Sequence, residues 1–135
     1  MDIDAYIYQK ISFGMDLIHI DESSSVPMLT FSVNIADYHA CFIDQAAIST
    51  LQLDQFVNDI KKWQPAVLSL SDVSQEKQIE IILEIDPTLS KITIYYLRNR
   101  ISSVSSGINY KNSFYVADTD IKRFYDAFDD FPRWW

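Results

Sequence analysis

Asp37, His39 and Cys41 alternate along one short run and form the most chemically suggestive group in the chain. Alternate side chains of a β-strand point to the same face, so these three would lie side by side. Zinc sites and nucleophilic thiols both use these residue types. A zinc site would need another ligand, for which His19 is the only other histidine. We favour the commoner interpretation, a half-buried strand in which Cys41 acts as a small apolar residue, and predict no metal site.

Other patterns that could support catalysis are weaker. Glu80 and Glu84 have a spacing that acid and base work could use, but glycosidase chemistry needs two carboxylates about 5–9.5 Å apart across a cleft, and alternating acids are typical of the solvent face of a sheet. The serine-rich segments 23–25 and 102–106 have no accompanying histidine base. The two glycines of the chain cannot build a phosphate loop or a dinucleotide fingerprint. We therefore predict a protein that is not an enzyme and binds no cofactor.

Most of the chain alternates apolar and polar residues, which is the pattern of strands that bury one face. Leu29, Phe31, Val33 and Ile35 give the clearest example. The same pattern predicts about six or seven strands, at 17–21, 29–35, 38–43, 67–70, 78–85, 91–98 and 113–117. Short polar or proline-containing turns join several of them, so a mostly antiparallel sheet is expected.

Two segments change to a helical period. Apolar residues at i, i+3, i+4, i+7 and i+10 predict amphipathic helices at about 50–63 and 119–130, with Thr50 and Asp118 as N-caps. The shared spacing could mark an internal repeat, although amphipathic helices converge on it easily. The expected fold class is α+β, with residues 1–135 forming a single compact domain whose helices cover one face of the sheet.

Net charge gives information about partners. The 135 residues carry 11 Lys and Arg against 19 Asp and Glu, a formal charge of −8. Residues 1–75 hold ten of those acids and three of the bases. Such a balance repels phosphate backbones and favours a basic partner, so we predict no nucleic-acid binding.

The remaining composition suggests a compartment. The single cysteine cannot form an internal disulfide, no apolar run approaches the roughly 18 residues of a membrane span, and the first residues are acidic, unlike a secretion signal. We therefore expect a cytoplasmic protein that does not enter a membrane. At the other end, the aromatic segment 131–135 is expected to fold back on the sheet rather than anchor a partner.

The order of elements resembles a known family. Strands with Phe31-x-Val33, Ile79-x-Ile81, Ile92-x-Ile94 and Phe114-x-Val116, and helices with Leu53-x-x-Phe56-Val57-x-x-Ile60 and Phe124-x-x-x-Phe128, resemble the small immunity proteins of bacterial polymorphic toxin and contact-dependent inhibition systems, in particular the Wap-type immunity group. The resemblance spans about residues 28–131 and implies a protein that binds and silences one cognate toxin domain. Such toxins are often nucleases with basic substrate grooves.

The resemblance carries over no individual site residue. We choose toxin-binding candidates by charge and expected exposure, and these are Asp16, Asp21, Glu22, Asp37, Asp44, Asp54 and Asp59. The alternative function is a small-molecule or peptide binding module, suggested by the aromatic content and by the apolar residues on both sides of strand 91–98.

Overall fold

The computed structural model describes residues 2–7, 11–37, 41–72, 76–98, 108–133 and 135. Its elements in chain order are β1 (Asp2–Ile7), β2 (Ile11–Asp21), β3 (Met28–Ala36), β4 (Cys41–Ser49), α1 (Thr50–Lys61), β5 (Ala66–Ser71), β6 (Lys77–Glu84), β7 (Ser90–Arg98), β8 (Ile108–Val116) and α2 (Asp118–Asp129). The strands form one sheet in chain order, and every neighbouring pair is antiparallel. The α+β class is confirmed, with eight strands in place of the six or seven expected.

Both helices begin one residue away from the expected cap. Ser49, the last residue of β4, is the N-cap of α1, because its Oγ accepts from the Gln52 backbone N–H at 3.1 Å. Ala117 occupies the N-cap position of α2, where the Asp120 carboxylate accepts from the Ala117 backbone N–H at 3.1 Å. Each strand therefore runs directly into its helix. Within the described residues, no helix is long and apolar enough to cross a membrane.

Four strands followed by one 12-residue helix occur twice along the chain. We call β1–β4 with α1 the first half and β5–β8 with α2 the second half. The strand register repeats as well. In the first half, Ile35 of β3 is paired with Phe13 of β2 and with Phe42 of β4. In the second half, Tyr96 of β7 is paired in the same way with Ile79 of β6 and with Tyr110 of β8. Phe42 and Tyr110 each lie eight residues before their helix. Positions in the two halves can therefore be equated one by one.

The two halves exchange their helices. The sheet is continuous between them through a single pairing, Ala47 with Ser71. Helix α1 packs on β5 and α2 packs on β1, so each helix covers the first strand of the other half. The helices also meet at Phe56 and Phe124, which are equivalent positions, with ring centroids 6.1 Å apart. One buried apolar cluster therefore draws on both halves.

We call the side of the sheet that faces the helices the inner face and the opposite side the outer face. Inner-face residues such as Phe31 and Ile81 are fully buried, as the alternation in the sequence predicts. Phe13 shows how the helices complete this layer, because its ring centroid lies 6.3 Å from that of Phe124 and 6.2 Å from that of Phe128. Outer-face side chains are available to other molecules wherever they are exposed.

Candidate interaction surface

The structure places the seven candidate acidic residues in separate parts of the molecule. Asp16 and Asp21 belong to β2 on the outer face, Glu22 follows them, Asp37 lies after β3, Asp44 lies on the inner face of β4, and Asp54 and Asp59 belong to α1. Because α1 packs against the inner face, the seven side chains do not come together on one surface. Each of the seven acids therefore has its own local surroundings.

Asp44 is engaged in a charged network inside the molecule. Its carboxylate accepts from Lys77 Nζ at 2.8 Å and from the Tyr96 hydroxyl at 2.6 Å, and Arg98 Nη1 lies 4.0 Å away. Only 10 % of the Asp44 side chain is exposed. Burial by itself would raise the pKa of Asp44, but hydrogen bonds from Lys77 and Tyr96 outweigh it and hold the pKa below the ordinary value. Burial and the bond to Asp44 raise the pKa of Tyr96 to about 12.

Aromatic rings extend this network toward Asp37. The Phe42 ring centroid lies 5.0 Å from that of Tyr96 and 4.9 Å from that of Tyr110. The Tyr110 hydroxyl donates to the Asp37 carboxylate and accepts from Asn112 Nδ2 at 3.3 Å. Burial, followed by the bond to Asp37, raises the pKa of Tyr110. Two carboxylates of the first half are thus bound by side chains of the second half.

Asp54 holds the carboxyl end of the chain against α1. Its carboxylate accepts from Arg133 Nε at 2.8 Å and from Trp135 Nε1 at 2.7 Å. The Phe131 ring is buried and lies 5.8 Å from the Phe31 ring. The expectation that the terminal aromatic residues fold back is confirmed for Phe131 and Trp135, whereas Trp134 lies outside the described residues.

Part of the negative charge of the first half therefore serves internal contacts. Charge counting along the chain could not identify these contacts, because the bases that bind Asp44 and Asp54 follow them by at least 33 positions. The sequence does contain one signal: Asp44 occupies an inward position in the alternating series Phe42, Asp44, Ala46 and Ile48. An acid at such a position predicts an internal partner.

The outer face of the first half carries the acids that remain on the surface. We define the acidic face as Asp4 on β1 together with Asp16 and Asp21 on β2, all of which are exposed. No lysine or arginine projects from this face within the described parts of β1–β4. Gly14 contributes to its shape, because a Cβ there would lie 3.0 Å from Asp4 Oδ1. The apolar side chain of Ile43 is 69 % exposed on the same side.

The acids of this face differ in their local surroundings. At one end, Asp21 accepts from the Ser23 backbone N–H at 2.9 Å. Side-chain and backbone hydrogen bonds from Ser23 lower the pKa of Asp21, which keeps it charged at neutral pH. Near the middle, Asp16 is exposed and lies opposite Ser32 of β3. Asp59 is elsewhere, on α1, where it accepts from Gln55 Nε2 at 2.9 Å.

The outer face of the second half has a different charge pattern. Its strand register places Glu84 directly opposite Lys91, and Tyr95 between Glu80 and Lys111. Opposite charges on neighbouring strands attract one another and compensate locally. The second half therefore offers a mixed surface where the first half offers an acidic one.

Asp37 and Cys41 are the members of the predicted Asp37, His39 and Cys41 cluster that lie within the described residues. His39 lies outside the described residues, as does the serine-rich segment 102–106. Cys41 is exposed, and its Sγ lies 3.8 Å from Asn34 Oδ1. Within the described ranges, no group of three or more His, Cys, Asp or Glu side chains could hold a metal ion.

A groove between the helices is the second surface of note. It is lined by Ile60, Lys61, Trp63, Ile121, Lys122, Tyr125 and Asp126. Most of this lining is apolar, and the indole of Trp63 is 49 % exposed beside it. The groove lies on the helix side of the sheet, away from the acidic face.

Comparison of the chain with protein-family models, with curated proteins and with solved structures found no match. The resemblance to immunity proteins therefore stays a prediction.

Proposed function

We propose that this protein is an immunity protein, without catalytic activity, that binds and neutralises a basic toxin domain of the nuclease type in the cytoplasm. The observation that carries this proposal is the acidic face, where Asp4, Asp16 and Asp21 project from the outer side of the sheet and the described parts of β1–β4 hold no lysine or arginine. The second half, built on the same register, carries lysines among its acids on this side, with Glu84 directly opposite Lys91.

Charge complementarity explains how such a face would inhibit a nuclease. A nuclease binds phosphates with lysine and arginine, and carboxylates can occupy those side chains through charge-assisted hydrogen bonds. An acidic surface also speeds the capture of a basic partner. Exposed Ile43 adds an apolar contact near the acids. Of the seven candidates, Asp16, Asp21 and Glu22 remain the toxin-binding residues that we propose. Asp37, Asp44 and Asp54 make contacts within the fold, and Asp59 lies on α1, away from the acidic face.

The test uses the toxin domain that the proposal expects at the end of a secreted protein encoded immediately upstream. Expression of the immunity protein should restore growth of cells that produce this domain, and the two purified proteins should bind more weakly as salt increases. Replacing Asp4, Asp16 and Asp21 together by asparagine should weaken binding by roughly 10- to 100-fold, because three charge pairs are lost.

The matched control changes the acids of the other half. Glu80→Gln with Glu84→Gln removes two charges from the outer face of the second half, where acids and lysines are mixed and Glu84 lies opposite Lys91. This variant should bind within about twofold of the wild type. Failure of the wild-type protein to restore growth, or equal weakening by both sets of substitutions, would contradict the proposal.

A small-molecule or peptide binding module is the alternative function, and the groove between α1 and α2 is the observation that favours it. The two functions separate cleanly, because the groove and the acidic face lie on opposite sides of the sheet. Asparagine at positions 4, 16 and 21 should leave binding in the groove unchanged.

A further inference from the structure

Trp63 ends α1 in a backbone conformation that rarely suits a large side chain. Its backbone N–H donates to the Ile60 carbonyl at 2.9 Å, and the Gln64 N–H donates to the Asp59 carbonyl at 2.9 Å. These two bonds form a Schellman motif, whose left-handed residue is most often glycine. Trp63 has φ 55° and is the one non-glycine residue with positive φ within the described ranges. The fold therefore holds a tryptophan where a side chain is least favourable.

The equivalent position of the second half makes this placement informative. Phe131 follows α2 as Trp63 follows α1, and it is 2 % exposed against the ring of Phe31. Trp63 is 49 % exposed. The aromatic residue of the second half thus completes the core, whereas that of the first half presents apolar surface to solvent at the edge of the groove. Retained strain combined with an exposed aromatic side chain is typical of a binding site.

Charge indicates what the groove would accept. Lys61 comes from the α1 wall and Lys122 from the α2 wall, and neither takes part in an ion pair with any residue in the described part of the chain. Lys62 and Arg123 follow them directly in sequence. The groove lining itself thus carries two bases against one acid, although the net charge of the chain is −8. Asp126 supplies one acceptor on the α2 wall.

We propose that this groove binds a short acidic peptide segment of a protein partner. A large apolar side chain of the peptide packs against the indole of Trp63 and the ring of Tyr125, above the buried Ile60 and Ile121 at the base of the groove. Carboxylates on either side of that residue pair with Lys61 and Lys122. Asp126 accepts from a peptide N–H, which a simple fatty acid could not donate. The proposal goes beyond toxin binding by the acidic face and does not depend on it.

The experiment titrates the ¹⁵N-labelled full chain with acetyl-Glu-Leu-Phe-Glu-amide and with its basic counterpart, acetyl-Lys-Leu-Phe-Lys-amide. We expect the acidic peptide to shift the amide signals of Ile60, Trp63, Ile121 and Tyr125 and the indole signal of Trp63, and the basic peptide to bind at least tenfold more weakly. Dodecanoate tests whether a plain amphiphile is sufficient. Increasing salt should weaken binding of the acidic peptide, because exposed charges are screened.

Two variants give the proposal a matched control. Lys61→Glu with Lys122→Glu should weaken binding of the acidic peptide by roughly tenfold or more, since two attractive charges become repulsive. Lys91→Glu with Lys111→Glu changes the net charge equally on the outer face of the second half and should leave binding within about twofold. If the first variant is not folded, Lys61→Gln with Lys122→Gln serves in its place with a smaller loss.

Several results would overturn the proposal. These are absence of binding at millimolar peptide, equal binding of the basic peptide or of dodecanoate, equal weakening by both lysine variants, or groove signals that change with protein concentration alone, which would indicate a second copy in the groove. Asparagine at positions 4, 16 and 21 leaves the groove intact. Failure of the acidic peptide to bind is therefore distinguishable from failure of toxin binding.

Discussion

The two halves share strand order, register and helix position, yet they differ in the polar groups that they supply to each other. The first half contributes the carboxylates of Asp37, Asp44 and Asp54, whereas the second half and the segment after it contribute the tyrosine, lysine, arginine and tryptophan donors. Equivalent positions show the difference directly, because Asp44 of the first half corresponds to Asn112 of the second. The two halves thus share one backbone arrangement but carry complementary hydrogen-bonding groups.

This complementarity determines which half pairs with which. Apolar packing alone would let either half meet another copy of itself almost as well, since the aromatic positions Phe56 and Phe124 are interchangeable in type. Carboxylates facing carboxylates would repel, whereas carboxylates facing donors attract. The difference between the halves therefore favours pairing of the first half with the second. Five predictions test this comparison.

The largest effect is expected at the shared apolar centre, where the halves are alike. Phe56→Ala and Phe124→Ala should each lower the free energy of unfolding by about 3–5 kcal/mol, because each buried ring leaves a cavity. The two rings touch, so the double variant should lose less than the sum of the single losses. Urea unfolding measures all three values. A loss confined to one ring would show that the halves contribute unequally to the core.

The next effect is expected where the halves differ. Asp44→Ala should cost about 2–3 kcal/mol, because Lys77 and Tyr96 would keep their burial without their acceptor. Asn112→Ala, the equivalent change in the second half, should cost about 1 kcal/mol, since it removes one hydrogen bond between side chains. Urea unfolding measures both variants. Similar decreases in the free energy of unfolding would contradict the distinction between a first half that supplies acceptors and a second half that supplies donors.

Acid should act through the same carboxylate. The pKa of Asp44 is lower in the folded state than its ordinary value of 3.8, so its stabilisation is present above that value and is lost as the pH falls through the lower, folded value. Stability measured in this acidic window should fall less steeply for Asp44→Ala than for the wild type.

Alkali should act through Tyr96. Its pKa is raised to about 12 from an ordinary value of 10.0, so its contribution is complete below pH 10 and is lost as the pH rises from 10 through 12. Tyr96→Phe should reduce the decrease in stability across this window by about 2 kcal/mol. Urea midpoints at intervals of pH measure the slope. An unchanged slope would mean that the hydroxyl does not lie against Asp44 in solution.

The smallest effect concerns the ends of the two helices. Trp63→Gly and Trp63→Ala both remove the indole, but only glycine relieves the left-handed backbone, so the glycine variant should be more stable by about 1 kcal/mol. At the equivalent position, Phe131→Gly should instead be less stable than Phe131→Ala, because positive φ within the described ranges is confined to Trp63 among non-glycine residues. Thermal unfolding of the four variants tests this reversal.

The local elements could be predicted from the sequence because their signals are short-range. The spacing of Leu53, Phe56 and Ile60 defines α1, and the same spacing defines α2. β1 is not among the predicted strands although its residues alternate, because the run is only six residues long and two of them are aspartates, which are depleted in strands. The caps were assigned one residue too late, since Ser49 ends a strand and caps a helix at once.

The site was less predictable than the fold because its contacts are long-range. Charge and expected exposure identified Asp16 and Asp21, which do lie on the surface. The same reasoning selected Asp44 and Asp54, whose partners come from strands and a terminal segment far along the chain. Only the register of β6–β8 reveals that Glu84 faces Lys91 and that Tyr95 lies between Glu80 and Lys111. Such pairings depend on topology, which residue types alone do not specify.

The exchange of helices between the halves has a consequence for a broken backbone. If a protease cut the link between Lys62 and Pro65, each fragment would retain four strands and would carry the helix that the other fragment needs. Reassembly of the fragments would restore both helix contacts together, and an isolated fragment would expose an uncovered first strand. Nicking at this site would therefore leave a noncovalent complex in which neither piece has a complete interior without the other.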